Sequence, residues 1–215
     1  MSTELVLTLV HAISVPIDLL HKGLKSVSPF KSTTLCIDHR SHTRKQYFER
    51  AFGSGKDVLL LTIMSQHTVK EIKHLLQLAQ KTKTHIRCLT WYPDPAPETV
   101  ESFRKHLGEY DAEPQRTLRQ VQEARAEWQR LEKEYPDVLQ VLCYSSSPTM
   151  GAVIVRDKFA LVELMPYHAQ PMQRPALVLG HFKDRKAFRF FAERFEELWS
   201  ESQKKNTSSS IQRVV

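Results

Sequence analysis

The clearest pattern of apolar and polar positions lies at residues 148–168. The apolar run 152–155 is followed by three charged residues, and a second apolar run, 159–164, follows at once. Two apolar runs separated by a short polar segment are typical of antiparallel strands joined by a tight turn. We therefore predict a β-hairpin in this part of the chain.

A strand–helix–strand pattern precedes the hairpin. Residues 57–63 are a continuous apolar run, which is typical of a strand covered on both faces, and residues 85–90 form a similar run. Thr68 and Glu71 fit an N-cap and its capping box. The positions that follow carry apolar residues at helical spacing: Val69, Ile72, Leu75, Leu76 and Ala79. The pattern predicts a parallel strand pair with a right-handed crossover.

The remaining apolar segments complete an α/β fold. Further strands are predicted at 33–37, 138–144 and 176–180, and further helices at 46–52, 115–134 and 184–202. The N-terminal segment is apolar on more than one face, which predicts a buried helix. We expect a mixed, mostly parallel sheet flanked by helices, with an N-terminal helix. The predicted organisation is an apolar helix at 1–30, an α/β domain at 31–203 and a disordered polar tail at 204–215.

Composition and charge narrow the class of protein. Of the 215 residues, 41% are hydrophobic and 26% are charged, as in ordinary globular proteins. The net charge of +7 favours anionic partners such as nucleotides, nucleic acid or acidic lipid. Residues 5–20 are shorter than the roughly 18 to 20 apolar residues of a membrane span and lack the features of a signal peptide. The chain has three cysteines with no paired spacing, which favours free thiols in the cytoplasm over disulfides: Cys36, Cys88 and Cys143.

Two polar clusters are candidate binding sites. Ser65, Gln66 and His67 lie between a predicted strand and a helix N-terminus, where free N–H groups favour anions. Alternatively, these residues only cap the helix. A basic cluster lies between the first predicted strand and helix: His39, Arg40, Arg44 and Lys45. This cluster either binds phosphate at a strand end or is a solvated loop, and its histidine spacing is weak for a metal.

The order of elements resembles one half of the phospholipase D superfamily. That family has a His-x-Lys motif before a strand, then an Asp, then a Gly-Ser-x-Asn element. We align the strand of the family motif with residues 155–164 of this chain. Thr149 then falls at the His position, Gly151 at the Lys position and Arg156 at the Asp position. The Gly-Ser-x-Asn positions are taken by Glu163, Leu164, Met165 and Pro166. The resemblance therefore implies a fold without the family's catalytic residues.

The chain is more similar to the non-catalytic phospholipase D-like sensor domains of bacterial transcriptional regulators. The similarity rests on the Pro-Thr before the hairpin, an Arg-Pro-apolar strand at 174–179, and a closing helix with Phe191, Phe195 and Trp199. It implies a catalytically inactive protein, without metal or cofactor, that recognises a phosphorylated small molecule or nucleotide. Because two such halves normally face each other, it also implies a homodimer.

The resemblance places further residues at the remaining cleft. Thr149 and Arg156 would line it, and Tyr167 and His168 would close it or pack under the last helix. A guanidinium at Arg156 suits bidentate phosphate binding, but a surface turn residue is equally consistent with the sequence. Two other functions stay open: a diverged phosphodiesterase or nuclease that uses His67 or His168, and a basic nucleic-acid-binding or scaffold protein.

Overall fold

The computed structural model of the protein describes most of the predicted α/β domain. The described residues are 34–36, 42–62, 66–92, 114–146, 150–164 and 176–211. The predicted N-terminal helix lies outside these residues.

Seven strands and four helices make up the described part of the chain. The strands are β1 (Thr34–Cys36), β2 (Val58–Thr62), β3 (Ile86–Trp91), β4 (Leu139–Tyr144), β5 (Met150–Val155), β6 (Phe159–Leu164) and β7 (Ala176–Gly180). The helices are α1 (His42–Phe52), α2 (Gln66–Thr82), α3 (Pro114–Glu134) and α4 (Arg185–Ile211).

The described strands form one mixed sheet in the order β1-β7-β6-β5-β2-β3-β4. The pairs β2/β3 and β3/β4 are parallel, and the other neighbouring pairs are antiparallel. As a result β1, β2, β3, β4 and β6 run in one direction, while β5 and β7 run in the other. The predicted α/β class is confirmed, and most strands share one direction although parallel neighbours are in the minority.

The sheet separates two apolar cores because its side chains alternate between two faces. In β2, where all five residues are buried, Val58 and Leu60 belong to one core, whereas Leu59 and Leu61 belong to the other. On the first face, α1, α2 and α3 contribute the core side chains Phe52, Leu76, Trp128 and Leu131. On the second face, α4 contributes Phe188, Phe191, Phe195, Leu198 and Trp199. Burial of β2 on both faces explains its unbroken apolar run.

The predicted hairpin is confirmed. β5 and β6 are antiparallel from Met150↔Leu164 to Val155↔Phe159. The turn is closed by Lys158 N, which donates to Val155 O at 3.1 Å. Between them, Asp157 adopts a φ of 61°. The turn lies at one end of the two strands, and the pair Gly151↔Glu163 lies near the other end.

Three helix boundaries differ from the predicted ones. α2 begins at Gln66, so Thr68 lies in its first turn and is not the residue that precedes the helix. α1 begins at His42 rather than near residue 46. α4 continues to Ile211 and so takes in residues that the sequence assigned to the polar tail. Ser202 is still buried on α4, and the lysines that follow it favour a helical backbone.

Candidate functional site

The candidate site lies where three strands reach the same edge of the sheet. β2 ends at Thr62, and Leu61 pairs with Ala152, so the start of β5 lies beside the end of β2. Gly151, the next residue toward the edge, pairs with Glu163 near the end of β6. We call this region the β2–β5–β6 edge. It is defined by Thr62, Gly151, Glu163 and the first turn of α2.

The first turn of α2 places backbone N–H groups at this edge. The chain leaves β2 at Thr62 and enters α2 at Gln66. The first four N–H groups of a helix have no partner within it, and the helix dipole adds partial positive charge at the same end. Gln66 and His67 are the first two residues of α2, so these two predicted site residues lie at this edge.

A buried ion pair crosses from α1 to the same edge. Arg44 Nε donates to Glu163 Oε1, and both side chains are only 15% exposed. The guanidinium carbon of Arg44 lies 4.6 Å from the centre of the Phe48 ring, one helical turn further along α1. The pair fixes the end of β6 against α1, and it places both a carboxylate and a guanidinium at the edge.

Gly151 lies beside this pair and contributes no side chain to it. A Cβ atom at this position would lie 3.5 Å from Leu61 O and 3.6 Å from Glu163 Oε2, which are ordinary contact distances. At the position where the phospholipase D resemblance expects a lysine, the structure therefore has a glycine whose cross-strand neighbour is the carboxylate of Glu163. This position supplies no cation.

Arg156 lies at the opposite end of the hairpin, roughly 16 Å from Gly151 at about 3.3 Å per residue of strand. Arg156 Nη1 lies 3.1 Å from Asp57 Oδ2, and Arg156 Nη2 lies 3.6 Å from Glu196 Oε1. The sequence placed Arg156 along one cleft with Thr149, which lies outside the described residues. Arg156 instead pairs with two carboxylates.

The groove beside Arg156 does not favour anions. Its volume is about 830 Å³, and it runs along α4. Its charged lining is mixed: the cationic residues are Arg156, Arg185, Arg189 and Lys204, and the anionic residues are Asp157, Glu193, Glu196, Glu197 and Glu201. Since the two signs nearly balance, this lining gives no preference for an anion.

The basic cluster predicted from the sequence is divided. The side chain of Arg44 is only 15% exposed in its pair with Glu163. The side chain of Lys45 is exposed, and its Nζ atom lies 3.9 Å from Glu49 Oε1. Six predicted site residues lie outside the described residues: His39, Arg40, Ser65, Thr149, Tyr167 and His168. Glu163 was noted only as a replaced family position. The available signal was a glutamate at the end of an apolar strand, opposite a glycine.

Two further searches cover only the described residues. Within ranges 34–36, 42–62, 66–92, 114–146, 150–164 and 176–211, no three His, Cys, Asp or Glu side chains come together as a metal site. No helix in this same part of the chain has the length and apolar character needed to cross a membrane.

No protein-family model and no curated protein matches the chain. Solved structures with a similar fold include TrmBL2, an archaeal chromatin protein, at 11% identity and a TM-score of 0.47; the match covers 86% of this chain and 58% of that one. They also include two further proteins. Nuc from Salmonella typhimurium, a phospholipase D family member, has 9% identity, coverage of 79% and 95%, and a TM-score of 0.46. NucT from Helicobacter pylori has 9% identity, coverage of 80% and 96%, and a TM-score of 0.48. At these identities and TM-scores, the similarities assign neither a family nor an activity.

Proposed function

We propose that this chain is a catalytically inactive, phospholipase D-like binding protein that recognises a phosphorylated small molecule or nucleotide at the β2–β5–β6 edge. The observation that carries the proposal is the pair Gly151↔Glu163, held by Arg44. The superfamily's reaction needs an imidazole nucleophile and a cation for the phosphoryl oxygens. Here the lysine position is a glycine, and its neighbour across the strands is a carboxylate.

Binding without catalysis is what the edge is suited to. The first turn of α2 offers backbone N–H groups that have no partner within the helix, and such groups bind phosphate in many proteins. Arg44 balances the charge of Glu163, so the carboxylate does not make the edge anionic. The net charge of +7 attracts anions over a longer range.

The proposal is tested first by activity. The protein and its variants His67→Ala and His168→Ala are incubated with bis(p-nitrophenyl) phosphate and with single-stranded DNA. We expect no turnover above the buffer rate from any of the three. Turnover by the wild type that one histidine variant loses would establish a diverged phosphodiesterase or nuclease instead.

Binding is tested with AMP by isothermal titration calorimetry. Gln66→Pro removes one backbone N–H at the first position of α2, where proline is compatible with a helix. We expect Gln66→Pro to weaken AMP binding about tenfold, since a hydrogen bond to a charged group contributes about 1.5 to 3 kcal/mol. His74→Ala, an exposed substitution in the same helix, is the control and should bind as the wild type does. Absence of AMP binding, or equal binding by Gln66→Pro, would contradict the proposed site.

A nucleic-acid-binding function gives a different result in the same titrations. Binding to DNA that AMP does not displace, and that falls steeply with salt, is the signature of phosphate-backbone contacts.

The homodimer that the resemblance implies is tested separately. The molecular mass of the protein in solution at micromolar concentration distinguishes one copy from two.

A further inference from the structure

One face of α4 carries its charges in a self-complementary order. The groove beside Arg156 is lined by α4 residues that include a row at a spacing of four: Arg185, Arg189, Glu193, Glu197 and Glu201. Residues four apart are neighbours on the surface of a helix, so this row is continuous along α4. We call it the α4 stripe. It is basic toward the N-terminus of the helix and acidic toward the C-terminus.

The two ends of the α4 stripe have no ion-pair partner in the described part of the chain. Arg185 and Glu201 are both exposed, and neither forms an ion pair with another described residue. They lie roughly 24 Å apart along the helix axis, at about 1.5 Å per residue. Because of this separation, the two opposite charges cannot pair within one copy of the chain.

The groove beside the α4 stripe also offers apolar side chains. Leu59 of β2 and Ile154 of β5, which are paired in the sheet, line it together with Phe188 and Ala192 of α4. Its volume is about 830 Å³. A partner that covered this groove would remove apolar surface from water, and the charges of the stripe would select its orientation.

A second copy of α4 in the antiparallel orientation brings opposite charges together. A two-fold axis at Glu193 places Arg185 beside Glu201 of the partner subunit. The same axis places Arg189 beside Glu197 of the partner subunit, and each contact occurs twice. The two copies of Glu193 meet at the axis, where each is balanced by Arg189 of its own chain, with Nε 4.0 Å from Glu193 Oε1. A parallel arrangement would place like charges side by side.

We infer that two copies of this chain associate through the α4 stripe, with their α4 helices antiparallel across the groove. The interface goes beyond the proposed function and does not depend on a bound ligand. The groove reaches the hairpin turn at Arg156, which is at the other end of β5 from the β2–β5–β6 edge. Charge complementarity makes a second copy the occupant of the groove.

Charge reversal tests the interface, with the dissociation constant of the dimer measured by sedimentation at micromolar concentration. Arg185→Glu places two carboxylates together at each end of the interface, and Glu201→Arg places two guanidinium groups there. We expect each single variant to weaken the dimer at least about tenfold. The double variant Arg185→Glu/Glu201→Arg reverses both charges and should recover the wild-type dissociation constant.

An equimolar mixture of the two single variants gives a second form of rescue. In a heterodimer of Arg185→Glu with Glu201→Arg, every contact at the ends of the interface joins opposite charges, so we expect a dimer in the mixture. Lys186→Glu is the matched control, because Lys186 is exposed on the same turn of α4 but does not line the groove. This variant should dimerise as the wild type does.

The outcomes separate the inference from the proposed function, which the AMP titration decides independently. If the wild type is a monomer, the inference and the homodimer implied by the resemblance are both wrong. If the wild type is a dimer that both single variants keep, or if neither the double variant nor the mixture restores it, only the inference is wrong. Circular dichroism confirms that each variant is folded.

Discussion

The carboxylate of Glu196 on α4 accepts two hydrogen bonds from the guanidinium of Arg87 on β3, at 2.8 and 2.5 Å. The same guanidinium lies 5.4 Å from the centre of the Trp199 ring. Arg156 approaches Glu196 from the hairpin turn and also pairs with Asp57 at the start of β2. One network of charges therefore joins α4 to two strands and to the turn.

Glu196→Gln should remove a pH-dependent part of the stability. The hydrogen bonds from Arg87, followed by the charges of Arg87 and Arg156, lower the pKa of Glu196 below its ordinary value of 4.5. A lowered pKa in the folded state adds stability above pH 4.5, and this stability is lost as the pH falls through the lower folded value. We expect Glu196→Gln to cost about 1 kcal/mol at pH 7, because solvent screens this partly exposed side chain, and progressively less as the pH falls below 4.5.

Urea unfolding between pH 3 and pH 7 measures this effect. Glu197→Gln is the matched control, since Glu197 pairs with Arg194 on an exposed part of the same helix. Its cost should stay below about 0.5 kcal/mol throughout. If the stability cost of Glu196→Gln did not change with pH, the lowered pKa of Glu196 would not be the source of this stability.

The pair between Arg44 and Glu163 should show strong coupling. Removing one partner leaves the other charge half-buried, so we expect Arg44→Met and Glu163→Leu each to lower the free energy of unfolding by about 2 to 3 kcal/mol. The double variant should lose much less than the sum. Glu49→Gln, which breaks only the exposed pair with Lys45, should cost less than about 0.5 kcal/mol. Additive losses from Arg44 and Glu163 would show that the pair does not couple α1 to β6.

Lys83→Gly should stabilise the protein. Thr84 N donates to Ala79 O at 2.9 Å and Lys83 N donates to Gln80 O at 3.3 Å, which is the Schellman pattern at the end of α2. Lys83 has a φ of 56°, a conformation that costs a residue with a Cβ about 1 to 2 kcal/mol. After allowing for the flexibility of glycine in the unfolded chain, the expected gain is about 0.5 to 1 kcal/mol.

The opposite result is expected two residues earlier. Lys81 lies inside α2, so Lys81→Gly should destabilise the protein by about 1 kcal/mol. Thermal unfolding of the two variants in parallel tests the sign of each effect. Equal shifts of the melting temperature in both variants would show that the positive φ of Lys83 does not cause the change in stability.

Cys88 should be unreactive in the folded protein. Burial, and then the nearby Cys143 and Glu132, raise the pKa of the Cys88 thiol well above its ordinary value of 9.0. Because the thiolate is the reactive form, iodoacetamide at pH 8 should modify Cys88 at least roughly a hundredfold more slowly in buffer than in urea. Peptide mass spectrometry gives both rates. Comparable rates would mean that Cys88 is accessible.

The raised pKa of Cys88 also has a consequence for stability. Above about pH 9 the thiol ionises in the unfolded chain before it does so in the folded protein. Stability from this group is therefore complete below pH 9 and is lost as the pH rises further. Cys88→Ala should reduce the alkaline loss of stability relative to the wild type.

The sequence predicted the elements better than it predicted their partners. The apolar runs of β2 and β3 and the helical spacing of α2 were sufficient to predict a parallel pair, which the register Val58↔Ile86 confirms. The pairing of β2 with β5 could not be predicted, because an apolar run does not specify its neighbour across a long separation in sequence. That pairing is what brings Gly151 to the edge beside α2.

The candidate site was predicted in part. Gln66 and His67 were predicted to lie between the strand and the helix, but they are the first two residues of the helix. Arg156 was assigned to the cleft with Thr149 because both occupy family motif positions, and nothing in the sequence indicated that Arg156 pairs with Asp57 and Glu196. The role of Arg44 needed the fold, since its partner Glu163 belongs to a distant strand.

The strand order has a consequence for how the protein folds. β5 and β6 are neighbours in sequence and can pair early, whereas β2 must wait for β5, as Val58↔Val155 shows. β1 pairs with β7, so the first described strand forms its hydrogen bonds with the last one in the sequence. During synthesis, β1 therefore lacks its partner until β7 emerges, and one side of β2 stays unpaired until β5 emerges.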